Sequence, residues 1–282
     1  MQTRFIPACS AVFAWEMRMS FRRPATYVLL LAASLLAAWS FSWLVMLLAR
    51  GSDLALQPGG DAIAQFLGPN VFLVGGCMVL IPLLTMNAIA DERRRASWEL
   101  LVTTPVSPLS IVVGKFAALW CLFMTCLVPW GCSLIVLRVW NGKLRFVASI
   151  IPWIDGPGLT FDPGPAVGGG IALAIVGATF VAVGLFCSGL CQRPASAALV
   201  TAAAMGIIFL LGIVPRVLAN WGCSTDQIRL AEIVSFWGHV DRLSRGVIEP
   251  RVIAGHLTMC AGLVWGTSRI ARRMDEAGEP GA

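Results

Sequence analysis

The chain has 282 residues, of which 57% are hydrophobic and 13% charged, with a net charge of +6, and its mean hydropathy is +0.79. Soluble domains carry about a quarter charged residues, so this composition excludes a soluble globular protein, which would lack the polar surface to cover its core. Nucleic acid is not an indicated partner either, because Arg and Lys stand at the ends of apolar runs and not in one patch, the pattern that orients a membrane protein.

Residues 10–23, SAVFAWEMRMSFRR, predict a short helix lying in the membrane interface. Phe13, Met17 and Phe21 make an apolar stripe opposite Glu16, Ser20 and Arg23, while Arg18 and Arg22 can lay their stems on the bilayer and lift their charges to water. The alternative is a basic tail without fixed structure. Pro24 ends the helix, giving an interfacial elbow over 10–24. No cleavable signal peptide is expected, since the first apolar run starts near Tyr27 and is long enough to stay in the bilayer.

Six runs have the roughly 20 apolar residues needed to cross about 30 Å of hydrocarbon: 27–49, 70–90, 111–137, 166–190, 195–218 and 252–271. The expected fold is an all-α integral membrane protein, a single transmembrane domain over 1–282, with Pro215 and Arg216 marking the exit of the fifth span. An even number of spans places both termini on one side. With the termini inside, the inner segments hold more than half of the 21 basic residues, which the positive-inside rule favours. Trp140, Trp153 and Trp221 fall at the outer boundary and Trp15 and Trp98 at the inner one, where amphipathic rings settle.

Between the second and third spans, 91–107 (DERRRASWELLVTTPVS) interrupts the apolar pattern with a cytoplasmic helix. Asp91 with Arg95, and Arg95 with Glu99, are spaced i,i+4, each pair adding a few tenths of a kcal/mol. Trp98, Leu101 and Val102 share the other face, and Thr103-Thr104-Pro105 stops the helix. Ser107 caps the next one, with Pro108 at its first position. A solvated loop whose Trp dips into the headgroups is the alternative.

Small residues recur in the fourth span at Gly170, Ala174, Gly177, Gly184 and Ser188, and in the fifth at Ala198, Ala202 and Gly206. They let helix backbones approach, either within one subunit or at a seam between two. An amphipathic helix over 228–246 is expected on the outer face. Leu230, Ile233, Val234, Trp237 and Val240 form one side and Arg229, Glu232, Ser235, His239 and Arg242 the other, and Gly246 ends it. On this pattern His239 is a surface residue.

Most of the nine cysteines lie in or beside apolar runs, where they act as small apolar residues, so no disulfide framework is expected. Cys187 and Cys191 are one turn apart, but neither histidine is near them in sequence, and a structural zinc needs about four ligands; no metal site is expected. Gly114-Lys115 is followed by Phe116 and lacks the upstream glycine of a phosphate-binding loop. Lys115 reads instead as an interface anchor whose ammonium reaches the headgroups. No catalytic residue or cofactor site emerges from the pattern.

Three segments together resemble the membrane subunit of type-2 ABC exporters, in particular the small permeases of gliding-motility and copper-maturation systems. They are FAWEMRMSFRRP at 13–24, ERRRASWELLVTTPVSPLSIVVGK at 92–115 and HVDRLSRGVIEPRV at 239–252. Ser97 departs from the Gly-Thr character frequent at that place, and Arg251 from a common acidic residue. The resemblance implies a non-catalytic permease subunit, an exporter, in the plasma (cell inner) membrane with both termini cytoplasmic. It implies a second permease subunit, identical or different, and a separate ABC ATPase subunit holding ATP and Mg. Glu92, Arg94, Arg95, Trp98, Glu99 and Leu101 would then be the ATPase-docking contacts. Two other classes stay open on the residues alone. A secondary transporter or channel would place ionisable groups inside the bilayer, where His256 is the nearest candidate; a structural, force-transmitting membrane protein is the other. A membrane enzyme would need converging acids, histidines or metal ligands, which the pattern does not show. Apolar spans with scattered Ser, Thr and Cys suit a lipid-like or amphipathic cargo, and equally a protein that only transmits force.

Overall fold

Local chemistry places the helix starts. In the computed structural model, which describes residues 5–49, 66–68, 70–94, 107–150, 163–245, 247 and 249–278, proline opens helix after helix. Its missing N–H is no loss in a first turn and its φ is already helical. Helix α1 (Phe5–Arg22) gives way at Arg23 to α2 (Pro24–Ala49), and the Thr26 hydroxyl clasps the bend by donating to the Ser20 carbonyl at 2.6 Å. Helix α1 thus begins earlier than the amphipathic stripe over 10–23 indicates. Helix α3 (Val71–Thr85) starts at Asn70, whose side chain accepts from the Leu73 amide. After a turn comes α4 (Ala90–Arg94), and then α5 (Pro108–Ile150), capped as expected by Ser107, whose hydroxyl accepts from the Ser110 amide at 3.3 Å. Helices α6 (Pro163–Leu190), α7 (Pro194–Asn220), α8 (Thr225–Val234), α9 (Phe236–Ser244) and α10 (Pro250–Gly278) follow.

Among the described residues five helices are long and apolar enough to cross a membrane: Pro24–Met46, Val71–Arg94, Pro108–Val136, Ala166–Leu190 and Pro194–Asn220. The sixth expected span corresponds to α10. It has the length, at 29 residues, but is more polar, and its His256, Thr267 and Ser268 are buried in a helix packed on α6 and α5. Helix α7 continues through Pro215 to Asn220, beyond the expected exit. One lost backbone donor does not end a helix against which α8 and α9 pack.

Helix α6 forms the axis: 67% of its apolar window is buried, against 22% for α2 and for α7. Close approach explains two of its glycines. A β-carbon at Gly177 would lie 2.2 Å from Phe123 of α5, and one at Gly184 would lie 2.4 Å from the Thr85 hydroxyl of α3. The Ala174 carbonyl accepts from the Trp120 indole at 3.0 Å. Gly170, by contrast, has nothing within 4 Å of its β-carbon position, and Ala202 of α7 is exposed, with Ala198 half-buried and Gly206 only at van der Waals range of Met78. Part of the small-residue pattern therefore seats helices within the subunit, and part looks outward.

The segment over 228–246 is not one amphipathic helix. Ser235 interrupts it and caps α9, its hydroxyl accepting from the Gly238 amide at 3.1 Å. The break changes the phase between the two pieces. Leu230, Ile233 and Val234 of α8 are exposed, whereas Trp237, Val240 and Leu243 of α9 are buried.

Candidate functional site

Charges seldom lie inside a helical bundle unless partnered, because the loss of hydration outweighs what a lone ion gains. Three such side chains meet where α1, α4 and α5 converge. Lys115 of α5, 3% exposed at its side chain, ion-pairs with Glu16 of α1 and lies 2.5 Å from the Glu92 carboxylate of α4; the two acids are 19% and 15% exposed.

Backbone geometry prepares this meeting. A β-carbon at Gly114 would lie 2.9 Å from the Cys9 carbonyl and from Val12, so only glycine lets α1 rest directly on the first turns of α5. Glu16 stands one helical turn beyond Val12 and so comes over Lys115. The expectation that Lys115 extends to the headgroups is corrected: its ammonium is buried, because two carboxylates replace the water it gives up.

Helix α4 is fastened on its opposite side as well. The Ser188 hydroxyl of α6 accepts from the amides of Ile89 and Ala90, both at 3.2 Å, satisfying donors that a helix start leaves open. Arg93 donates to the carbonyls of Gly189 at 3.2 Å and Cys191 at 3.4 Å. Of the expected docking residues, Glu92 is turned into the junction and Arg94 is exposed, pairing with Asp91 at 3.0 Å. Arg95, Trp98, Glu99 and Leu101, with most of 91–107, lie outside the described residues.

The roles of Glu16, Ser188 and Arg93 in this junction are not evident from the sequence. One signal was present: α1 contains a single acidic residue, and Lys115 is the one charged residue between Pro108 and Leu137.

A second polar cluster lies against the middle of α6. His239 Nδ1 is 3.1 Å from His256 Nε2, His256 Nδ1 is 3.0 Å from the Thr179 hydroxyl, and that hydroxyl donates to the Ile175 carbonyl at 3.3 Å. His239 is thus buried, 9% exposed, and not the surface residue its helical phase suggested; the break at Ser235 rotates it toward α10. Burial first, and the Arg242 cation second, hold its imidazole below the usual pKa. Among the described residues no three His, Cys, Asp or Glu side chains group as metal ligands.

Described residues that are helical and free of strand, five membrane-length apolar helices among them and a charged junction between the second and third define a multi-pass membrane protein. Residues 49–224 match the family described as ABC-2 family transporter protein. That stretch is more than half of the chain, and the chain belongs to this family. The matched stretch contains Glu92 and Lys115, while Glu16 and all of α8–α10 lie outside it. Proteins of this family are in general non-catalytic membrane subunits of ABC transporters, with an ABC ATPase as partner. No individually curated protein matches the chain.

Proposed function

We propose that this chain is the permease subunit of an ATP-driven exporter in the plasma membrane, paired with a second permease and energised by a separate ATPase that holds ATP and Mg. The observation that carries the reading is the Lys115 junction. It ties α1, α4 and α5 together through Glu92, at the start of 91–107, so a force applied to that segment reaches all three helices at once. An ATPase that contacts the segment differently in its two nucleotide states supplies the free energy, since a ligand shifts an equilibrium only through differential affinity. In this reading Arg94, Arg95, Trp98, Glu99 and Leu101 meet the ATPase, while Glu92 acts from inside by positioning α4.

Helix α10 is the sixth span, with both termini cytoplasmic. Arg269 stacks over the Trp265 ring at 4.8 Å and Arg272 and Arg273 follow, exposed, as an anchor at an inner interface would. Exposed apolar rows on α2 (Leu31, Leu35, Trp39) and α7 (Leu199, Ile207, Leu210) offer surface to lipid and to the second permease. Export as the direction, and the gliding-motility and copper-maturation branch, rest on the three sequence segments.

Affinity purification of the full chain from its native membrane tests the docking. A soluble ATPase should accompany it, and Trp98→Ala combined with Arg95→Glu should lower its recovery about tenfold or more, the loss expected for interface anchors. Recovery equal to that of the unaltered protein overturns the docking assignment.

A further inference from the structure

A cavity of about 390 Å³ opens between α3, α7 and the α8–α9 pair, within the roughly 300–1,000 Å³ of small-molecule sites. It stands far from Lys115. The rise of α7 from Pro194 to Arg216 is about 33 Å at 1.5 Å per residue, so the cavity and the charged junction belong to opposite ends of the bundle.

Its lining is divided. Val74, Phe209 and Ile213 give an apolar wall, and the facing side is charged. Most of those charges are ion-paired: Arg242 lies 3.6 Å from Glu232 and 3.5 Å from Glu249, its buried Nε making no hydrogen bond, and Asp241 pairs with Arg245 at 3.2 Å. Arg216, which also lines the cavity, makes no ion pair among the described residues.

Trp237 adds an unmatched donor. Its ring is 6% exposed, held 5.5 Å from the Phe180 centroid. Gly212 of α7 also crowds it, since a β-carbon there would come within 2.5 Å of the indole. The ring is therefore fixed in the cavity wall, yet its buried Nε1–H has no hydrogen-bond partner. Leaving such a donor unmatched is costly, and because the atom has almost no exposed surface of its own, an acceptor in the cavity reaches it through a small shift of the wall.

We infer that this cavity binds an anionic amphiphile, with its acidic head at Arg216 and the Trp237 indole and its apolar part against Val74, Phe209 and Ile213. The cavity is too small for a whole diacyl phospholipid, so it takes either the head end of a lipid from the surrounding leaflet or a free single-chain acid. Both present the same chemistry. The inference needs the chain to sit in a membrane and does not depend on ATPase docking, so either can fail without the other.

Binding is measured on the full chain in detergent micelles by native mass spectrometry, titrating phosphatidylglycerol, phosphatidylcholine and oleate in parallel. Phosphatidylglycerol, oleate or both should bind at saturable one-to-one stoichiometry in preference to phosphatidylcholine, and the tighter of the two identifies the source. Arg216→Gln should weaken anionic binding about tenfold, and Trp237→Phe, which keeps a ring and removes the N–H, about fivefold, as charged and neutral hydrogen bonds respectively. Ile213→Trp fills the cavity without changing charge and should abolish saturation. No preference over phosphatidylcholine, or affinities within twofold of the unaltered chain in all three variants, overturns the proposal.

Discussion

Lys115 concentrates the electrostatics of the junction between α1, α4 and α5. Replacing it by Met leaves Glu16 and Glu92 facing one another across an apolar side chain, and breaking a buried ion pair this way costs about 3–5 kcal/mol. Lys115→Met should therefore melt well below the unaltered protein in detergent, with Glu16→Gln less affected because Glu92 still partners the ammonium; equal melting temperatures for Lys115→Met and the parent exclude a structural junction. Away from that junction, burial gives His239 a pH dependence whose sign follows from its lowered pKa. Its pKa is held down by burial and Arg242, so the fold favours neutral imidazole. That stability is complete above the unfolded value of about 6.5 and is lost as pH falls below it, through the lowered folded value. Melting curves between pH 7.5 and 5 should drop on acidification, and the drop should be shallower in His239→Gln. An identical slope in the variant removes His239 as the responsible group.

Among the helices, the glycines of α6 separate internal packing from outward surface. Gly177→Leu and Gly184→Leu would drive side chains into Phe123 and Thr85, and overpacking of this kind costs about 1–3 kcal/mol or more. Gly170→Leu meets open space and should leave the melting temperature of the isolated subunit unchanged. If Gly170→Leu nevertheless prevents two subunits from associating, the outward end of the small-residue row is the seam; destabilisation of the isolated chain would contradict the packing described. The turns between helices were legible where proline or serine chemistry is local, as at Pro24 and Ser107. The break at Ser235 was not, because the hydrophobic phase of 228–246 fits one continuous helix until α9 turns to meet α6.

For the molecule as a whole, the question is whether α10 crosses the membrane. Its polar residues are partly turned inward, with His256, Thr267 and Ser268 all buried, so its average hydropathy understates the apolarity of its outer face. Reporter fusions at the two ends of the chain should both report the cytoplasm. Termini on opposite faces would leave five spans and make α10 an interfacial helix. The membrane class and helical architecture were legible throughout, since composition and run length do not depend on how helices are arranged. The charged junction was only half legible. Glu92 and Lys115 stand out in sequence, but nothing local pairs them with each other or with Glu16.

Sequence alone determined that this chain is a helical, multi-pass membrane protein, and that a charged segment separates its second apolar run from the third. Each of these follows from hydrophobicity and capping acting over a few residues. Tertiary structure decided the rest: that Lys115 pairs with a carboxylate 99 residues away and does not reach for water, that His239 and His256 share a buried hydrogen bond, and which glycines touch a neighbour. Those outcomes depend on which faces of distant helices meet, and burial among them turns a surface charge or imidazole into a fixed internal partner.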